Sequence, residues 1–360
     1  MSKARYANVG GQAVMEGIMM RSPKKSVLAV RTPDGSITTE TVKYFSIRDR
    51  IPLFRIPILR GAASFVESFV TGLKSIIRSA DLAGLDEDEP GKKKGVQDET
   101  VTSGNTEENV SGPESSGTDV SDASSEKCGS GESCTGEKKS GEKSDSIPPA
   151  AIAVAVIMGV ALAVGLFIFL PVGIRRGLEA LFSFRFGIWT SVFEGILKIV
   201  IFIAYLLLVS RMKDIQRLFE YHGAEHKTIF CFEAGLPLTV ENIRKQSRLH
   251  PRCGTSFLII VMLVSIAVSL LLPKANTLLY ILIKILILPV IAGISFEFIR
   301  LAGRYDNLFT RIISAPGKAL QLITTKEPAD DQIEVAIAAL NASLTDDDGN
   351  IDTAAAYSDK

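Results

Sequence analysis

Two of the three histidines in this 360-residue chain lie four positions apart, within Glu220–Lys227. His222, Glu225 and His226 form an H-x-x-E-H pattern, in which two histidines on one helix face present their imidazoles to a single metal ion. Glu225 shares that face because it follows His222 by three residues. Catalytic zinc sites use three protein ligands and keep a fourth position for water, which a nearby carboxylate can deprotonate. The pattern therefore predicts a divalent metal, with zinc preferred, Glu225 as general base and one further ligand.

Three residues are candidates for that further ligand. His250 is preferred, because neutral imidazole binds zinc without placing another negative charge beside Glu225. Cys253 would have to bind as a thiolate, and Glu297 would have to reach the site from a membrane helix. If the two motif histidines were joined by both His250 and Cys253, the closed set of four ligands would make a structural site instead.

The elements around this motif are predicted to be membrane helices, since 46% of the residues are hydrophobic. Residues 147–174 carry no charge, and they are long enough to cross a bilayer, which takes roughly 20 residues. Further spans are predicted at Ile188–Ser210, Ser256–Leu272 and Leu278–Phe296. The chain is therefore expected to be a mainly α membrane protein with four transmembrane helices. These apolar helices make the lipid bilayer the predicted partner, and the formal net charge of zero points to no nucleic acid.

The distribution of basic residues predicts the orientation of these spans. The loop at 211–255 holds eight lysines and arginines, whereas the loop between the third and fourth spans holds only Lys274. The 211–255 loop and both termini are therefore predicted to be cytoplasmic, in a multi-pass protein of the cell membrane. Arg175, Arg176 and Arg185 would then lie outside, and a re-entrant first pair of helices is the main alternative.

The N-terminal region, residues 1–85, is predicted to contain a β-hairpin and an amphipathic helix. Val27–Arg31 and Ser36–Tyr44 are rich in β-branched residues and flank a Pro-Asp-Gly turn. A lone hairpin is marginally stable, so further strands or a covering helix are expected. Within residues 57–80, apolar positions recur every three or four residues opposite a charged face. This pattern predicts a helix that either lies in the membrane interface or packs on the bundle.

Two polar regions complete the predicted domain organisation. Residues 86–146 contain no Leu, Ile, Phe, Tyr or Trp and hold 16 acidic residues against 7 lysines. Such a composition predicts a disordered acidic linker. The four-helix membrane domain, with its metal-site loop at 211–255, is assigned to 147–304. Residues 305–360 are predicted to form a cytoplasmic C-terminal tail with two short helices.

Four long strings of the sequence resemble the YqhQ family of bacterial multi-pass membrane proteins. They are Gly10–Arg21, Glu220–Thr228, Gln246–Thr255 and Asp331–Leu340, and the likeness covers nearly the whole chain except the acidic linker. The family is uncharacterised, and its members are described as predicted metal-dependent enzymes. The resemblance therefore implies a metal and names no reaction.

Two classes of function remain open from the sequence. The first is a membrane-embedded, metal-dependent hydrolase that acts on peptide or lipid-derived bonds at the cytoplasmic membrane face. The second is a non-catalytic membrane scaffold or transporter-like protein with a structural zinc site. Soluble inverted zincin peptidases share the H-x-x-E-H pattern but take a carboxylate ligand many residues downstream, so only the local geometry transfers. An open coordination position on the metal would separate the two classes.

Overall fold

The computed structural model describes residues 7–23, 25–43, 47, 51–84, 149–183, 185–251, 253–272, 277–304 and 307–345. The predicted acidic linker and both termini lie outside these ranges. The strands are β1 (Gly10–Val14), β2 (Gly17–Arg21), β3 (Ser26–Arg31) and β4 (Ile37–Val42). The helices are α1 (Leu59–Leu82), α2 (Pro149–Val164), α3 (Leu170–Leu181), α4 (Thr190–Val209), α5 (Lys213–Glu233), α6 (Val240–Arg244), α7 (Gly254–Leu271), α8 (Thr277–Leu286), α9 (Leu288–Arg304), α10 (Leu308–Thr324) and α11 (Asp330–Leu344).

The four strands form one antiparallel sheet in which each strand pairs with the next along the chain. β3 and β4 are the predicted hairpin, and their turn places Gly35 at φ 85°, a conformation that favours glycine. β1 and β2 form a second hairpin from the glycine-rich stretch that precedes it. This second hairpin supplies the further strands that a lone hairpin needs.

The sheet is covered on both faces. One face, which includes Met19 and Leu28, packs against Ile76 and Leu82 of α1. The other face, which includes Ile18 and Met20, belongs to a larger core built from α5 and α11. The hydroxyl of Ser22, just after β2, donates to the carbonyl oxygen of Ser343 in α11 at 2.7 Å. The strands of the N-terminal sheet and α11 therefore share one core.

The amphipathic helix α1 is present, but it turns its small and polar face towards the protein. Phe65, Val66 and Phe69 keep exposed fractions of 40%, 47% and 55%. The buried positions are Gly61, Ala63, Ser64, Glu67, Thr71, Gly72, Ser75 and Ser79. Of the two predicted alternatives, packing is observed: α1 packs on its neighbours largely through small residues, while Val66 and Phe69 stay exposed. The interfacial position stays a prediction. Phe65 also contacts Phe257 of α7, with ring centroids 5.4 Å apart.

Among the described residues, three helices are long and apolar enough to cross a membrane: Val154–Leu181, Thr190–Val209 and Gly254–Leu271. The first combines α2 and α3, which are joined by a π-helical turn at Gly165–Phe169. The predicted fourth span is divided into α8, of 10 residues, and α9, of 17 residues. Pro289 lies at the start of α9, and its missing N–H interrupts the helical hydrogen bonds there.

Buried charges join three of these helices. The carboxylate of Glu194 in α4 is 1% exposed and accepts from Arg175 Nε at 2.9 Å and from Lys284 Nζ at 2.8 Å. Arg175 also donates to Glu179 at 2.5 Å. The partners of Glu194 are therefore in α3 and α8. Arg175, which fitted the predicted orientation poorly, is bound inside this group.

Candidate metal centre

Helix α5 carries the H-x-x-E-H residues, and its middle turns are buried. At Gly223, α5 is buried by a close crossing with another segment of the chain. A Cβ atom there would lie 2.0 Å from the carbonyl oxygen of Lys326, in the segment between α10 and α11. The backbone N–H of Lys326 also donates to the carbonyl oxygen of Phe219 at 2.9 Å. Glycine at position 223 thus lets this segment lie directly on α5 beside His222.

The side chains of His222, His226 and Cys253 converge. Their potential ligand atoms all lie within 4.8 Å of one another. His222 Nε2 is 3.1 Å from Cys253 Sγ, and the two imidazole centroids are 4.4 Å apart. Cys253 is the N-cap of α7, where its sulfur accepts from the backbone N–H of Thr255 at 3.4 Å. The start of α7 therefore delivers a thiol to the two histidines of α5.

Backbone carbonyl groups fix the tautomers of both histidines. Nδ1 of His222 donates to the carbonyl oxygen of Thr324 at 2.8 Å, and Nδ1 of His226 donates to that of Arg248 at 2.5 Å. A carbonyl oxygen can only accept, so each neutral ring carries its hydrogen on Nδ1 and has its lone pair on Nε2. In each of the two histidines, Nε2 is therefore the ring nitrogen that could bind a metal ion. Carbonyl partners of this kind are what orients metal-binding histidines.

His226 Nε2 gives a direct test of whether a metal suits this cluster. The atom is buried, and within the described residues it has no hydrogen-bond partner. An unsatisfied buried polar atom is costly, and a cation would satisfy this one. Two imidazole nitrogens and one thiolate form a donor set that zinc binds, and atoms around one tetrahedral zinc ion lie about 3.3–3.8 Å apart. The potential ligand atoms here lie within 4.8 Å of one another, which is slightly wider than that range. A small inward movement of the side chains would bring them to the separations found around zinc.

His250, the preferred third ligand, lies beside this cluster. Its ring centroid is 5.6 Å from that of His226, and its Nε2 is 3.7 Å from a carboxylate oxygen of Glu233. Gln321 of α10 holds its backbone through bonds of 2.8 Å and 2.7 Å to the N–H and the carbonyl oxygen. Its role as a ligand stays a prediction, while the observed convergence favours Cys253.

Glu297, the other alternative, is engaged elsewhere. Its carboxylate accepts two bonds from Arg60 Nη2, at 2.7 Å and 2.8 Å, and one from Arg60 Nε at 3.2 Å. This bidentate pair joins α1 to α9. Glu297 thus contributes to the packing of α9 on α1, and its assignment as a metal ligand stays a prediction.

Glu225 is buried beside the cluster and belongs to a contact that the sequence did not reveal. The backbone of Gly11 in β1 lies against its carboxylate. A Cβ atom at Gly11 would lie 2.9 Å from Glu225 Cδ, so glycine is needed for this approach. Burial raises the pKa of Glu225, and nearby His222 and the Gly11 N–H oppose that rise. A raised pKa brings a carboxylate towards the range in which it acts as a general base.

Two other acids, Glu16 between β1 and β2 and Glu220 of α5, have partners of their own. Glu16 accepts from Arg217 Nη2 at 2.5 Å and from the Tyr221 hydroxyl at 3.3 Å. Glu220 accepts from Gln332 Nε2 at 3.0 Å. Glu225 is therefore the acid of α5 that combines burial with a place next to the convergent side chains.

A cavity of about 740 Å³ opens onto these residues. Its lining combines residues 7–13, including all but the last residue of β1, with Ser68 of α1, one side of α5 and residues 253–255. His222, Glu225, His226, His250 and Cys253 all contribute to the lining. The participation of β1 was absent from the sequence-based site, because the glycine-rich stretch offered no recognisable ligand.

The chain matches the model of the family described as "Protein of unknown function (DUF1385)" over residues 56–346. It is also 33% identical, over 341 residues, to the uncharacterized protein YqhQ of Bacillus subtilis (strain 168). That alignment covers 93% of this chain and 92% of the relative. No solved structure gives a significant match. The relationship to YqhQ that the four sequence strings predicted is thus confirmed, and the chain belongs to the DUF1385 family.

Proposed function

We propose that this chain is a membrane-embedded, metal-dependent hydrolase whose metal is held by His222, His226 and Cys253. The observation that carries the proposal is the buried Nε2 of His226, which the described residues leave without a partner while its Nδ1 is fixed by a carbonyl. A ring held in this way has its lone pair on Nε2, where it could bind a cation. His222 and Cys253 supply the two further donor atoms beside it.

The cavity would let a substrate reach this metal. A divalent metal supplies Lewis acidity towards a carbonyl or phosphoryl oxygen and makes a water molecule easier to deprotonate. Glu225 lines the same cavity and lies against Gly11 of β1. Its carboxylate would accept a proton from water and return it to the leaving group. The buried surroundings strengthen each of these electrostatic interactions.

The alternative function is a non-catalytic scaffold or transporter-like protein with a structural zinc site. The position of His250 favours it, because the ring lies next to His226. A shift of that ring into the cluster would give four protein ligands and close the coordination sphere.

The deciding experiment measures bound metal and its open position. The full chain, purified in detergent, is expected to contain about one zinc per chain, and His226→Ala is expected to lose it. Glu225→Gln should keep the metal and lose hydrolysis of both fluorogenic peptides and short-chain phospholipids. In the cobalt-substituted protein, added acetohydroxamate should change the visible spectrum through the open position. An unchanged spectrum, together with metal loss in His250→Ala, would establish the structural site instead.

The proposed arrangement in the membrane has four spans, with α8 and α9 together as a broken fourth one. The 211–255 loop, and with it the metal centre, would be cytoplasmic because of its basic residues. The exposed aromatic face of α1 would lie in the cytoplasmic interface, since Phe65 meets the first turn of α7. These assignments extend the three apolar helices of the structure.

Impermeant maleimide labelling tests this orientation. In a background without Cys128 and Cys134, Lys245→Cys should be labelled in inverted vesicles and protected in intact cells. Lys274→Cys is the matched control and should show the opposite pattern. Cys231 and Cys253 are buried and free, so they contribute little background. External labelling of Lys245→Cys would overturn the proposed topology.

A further inference from the structure

Strand β1 has an open side. It pairs with β2 along one side, and within the described ranges no strand pairs with the other. Backbone groups of an antiparallel strand alternate between the paired and the open side. Val14 and Gly17 close the β1–β2 hairpin around a two-residue turn, and Gly11 is opposite Met20, so the alternation places the backbone groups of Gly11 on the open side. Ala13, two residues on, must do the same.

This open side faces the candidate metal centre. Gly10, Gly11, Gln12 and Ala13 line the 740 Å³ cavity together with the convergent histidines and Cys253. This cavity follows β1 from Gly10 to Ala13, a length of four extended residues.

We propose that the substrate is an extended polypeptide segment that adds to the open side of β1 as a further strand. This proposal rests on the proposed hydrolase function and names its substrate class. An extended peptide presents an N–H and a carbonyl group every second residue, which matches the spacing of Gly11 and Ala13. A lipid acyl chain has no such groups and would leave these backbone atoms unsatisfied.

The position of the added strand sets the bond to be cleaved. A peptide paired with Gly11 would pass the Glu225 carboxylate, which lies against Gly11. Hydrolysis adds one water to the peptide bond there. The C–N bond breaks, a C–O bond forms, the new carboxyl group receives the hydroxyl, and the released amine receives the proton by way of Glu225.

The test uses individual, terminally blocked decapeptides with a fluorescent label, and it measures binding to the full chain in detergent by anisotropy. N-methyl groups on every second residue, at the positions whose N–H faces β1, should weaken binding about tenfold or more, because each removes a hydrogen-bond donor. N-methyl groups on the intervening residues, whose N–H faces away from β1, should change binding less than about twofold. Ala13→Pro, which removes an outward N–H at a position an edge strand tolerates, should also weaken binding about tenfold. Thr39→Pro, an outward position on the opposite edge strand β4, is the matched control and should bind normally.

Binding is measured both with metal and after chelation, because pairing with β1 needs no metal. If the chelated chain binds peptides with the two-residue periodicity but no metal or cleavage is found, the pairing of peptides with β1 is supported and the hydrolase function is refuted. If the metal-loaded chain cleaves phospholipids and N-methylation acts without periodicity, the hydrolase stands and the peptide proposal is overturned. Equal losses in Ala13→Pro and Thr39→Pro would also overturn it.

Discussion

Nε2 of His222 lies 3.1 Å from Sγ of Cys253, a residue 31 positions further along the chain. The contact ties α5 to the first turn of α7. We expect Cys253→Ser to lower zinc affinity about 100-fold or more, since it removes a soft ligand from the convergent set. His250→Ala should retain most of the metal. Competition with a zinc chelator measures both affinities, and the reverse ranking would restore His250 as the third ligand.

Glu225 should make the metal-free protein sensitive to pH. Its folded pKa is raised by burial, so its contribution to stability is fully present below the unfolded pKa of about 4.3 and is lost as pH rises through the folded pKa. Relative to Glu225→Gln, the wild type should therefore lose stability across that window. Thermal unfolding of both metal-free proteins between pH 4 and about pH 8 measures the difference. A constant difference would contradict the burial of an ionisable carboxyl.

The crossing of α1 and α9 should tolerate no side chain at Gly293. A Cβ atom there would lie 2.2 Å from the carbonyl oxygen of Ile58. Gly293→Ala should therefore push the helices apart and cost about 1–3 kcal/mol. Gly159→Ala is the control, because nothing lies within 4 Å of a Cβ atom at that site. Unfolding temperatures in detergent compare the two, and equal values would show that the crossing adapts.

Removal of the buried charge at Glu194 should destabilise the helical bundle. Glu194→Gln leaves Lys284 without its counter-charge in an apolar environment, at a cost of roughly 3–5 kcal/mol. Arg175 keeps Glu179 as a partner. The double variant Glu194→Gln with Lys284→Met should recover much of the loss, because it removes the unpaired cation. Failure of that recovery would indicate that Glu194 acts through another partner.

The sequence predicted the local elements of the fold well where the pattern is periodic. The β3–β4 hairpin and the three long apolar helices follow from alternation and from hydrophobic length. The fourth predicted span contains Pro289, and a proline interrupts helical hydrogen bonds, which accounts for its division into α8 and α9. The orientation of α1 was hidden, since small residues such as Gly61 and Gly72 pack closely without raising hydrophobicity.

The candidate site was predicted only in part, for a physical reason. His222, Glu225 and His226 are close in sequence and share a helix face, so their proximity follows from helical periodicity. The proximity of Cys253, the carbonyl group of Thr324 and the N–H of Gly11 depends on how distant segments cross. Backbone groups carry no sequence signature, and therefore the tautomers of the histidines could not be predicted.

The core shared by the N-terminal sheet and α11 has a consequence for synthesis. Met20 and Ile18 of β2 are covered by residues of α11, such as Ile333 and Leu340. During translation the sheet leaves the ribosome hundreds of residues before α11 does, while each apolar span can enter the membrane as it emerges. One apolar face of the nascent sheet must stay uncovered throughout that interval. Truncation before α11 should therefore yield chains that are inserted in the membrane yet are captured by chaperones or degraded, a fate that pulse-chase labelling would record.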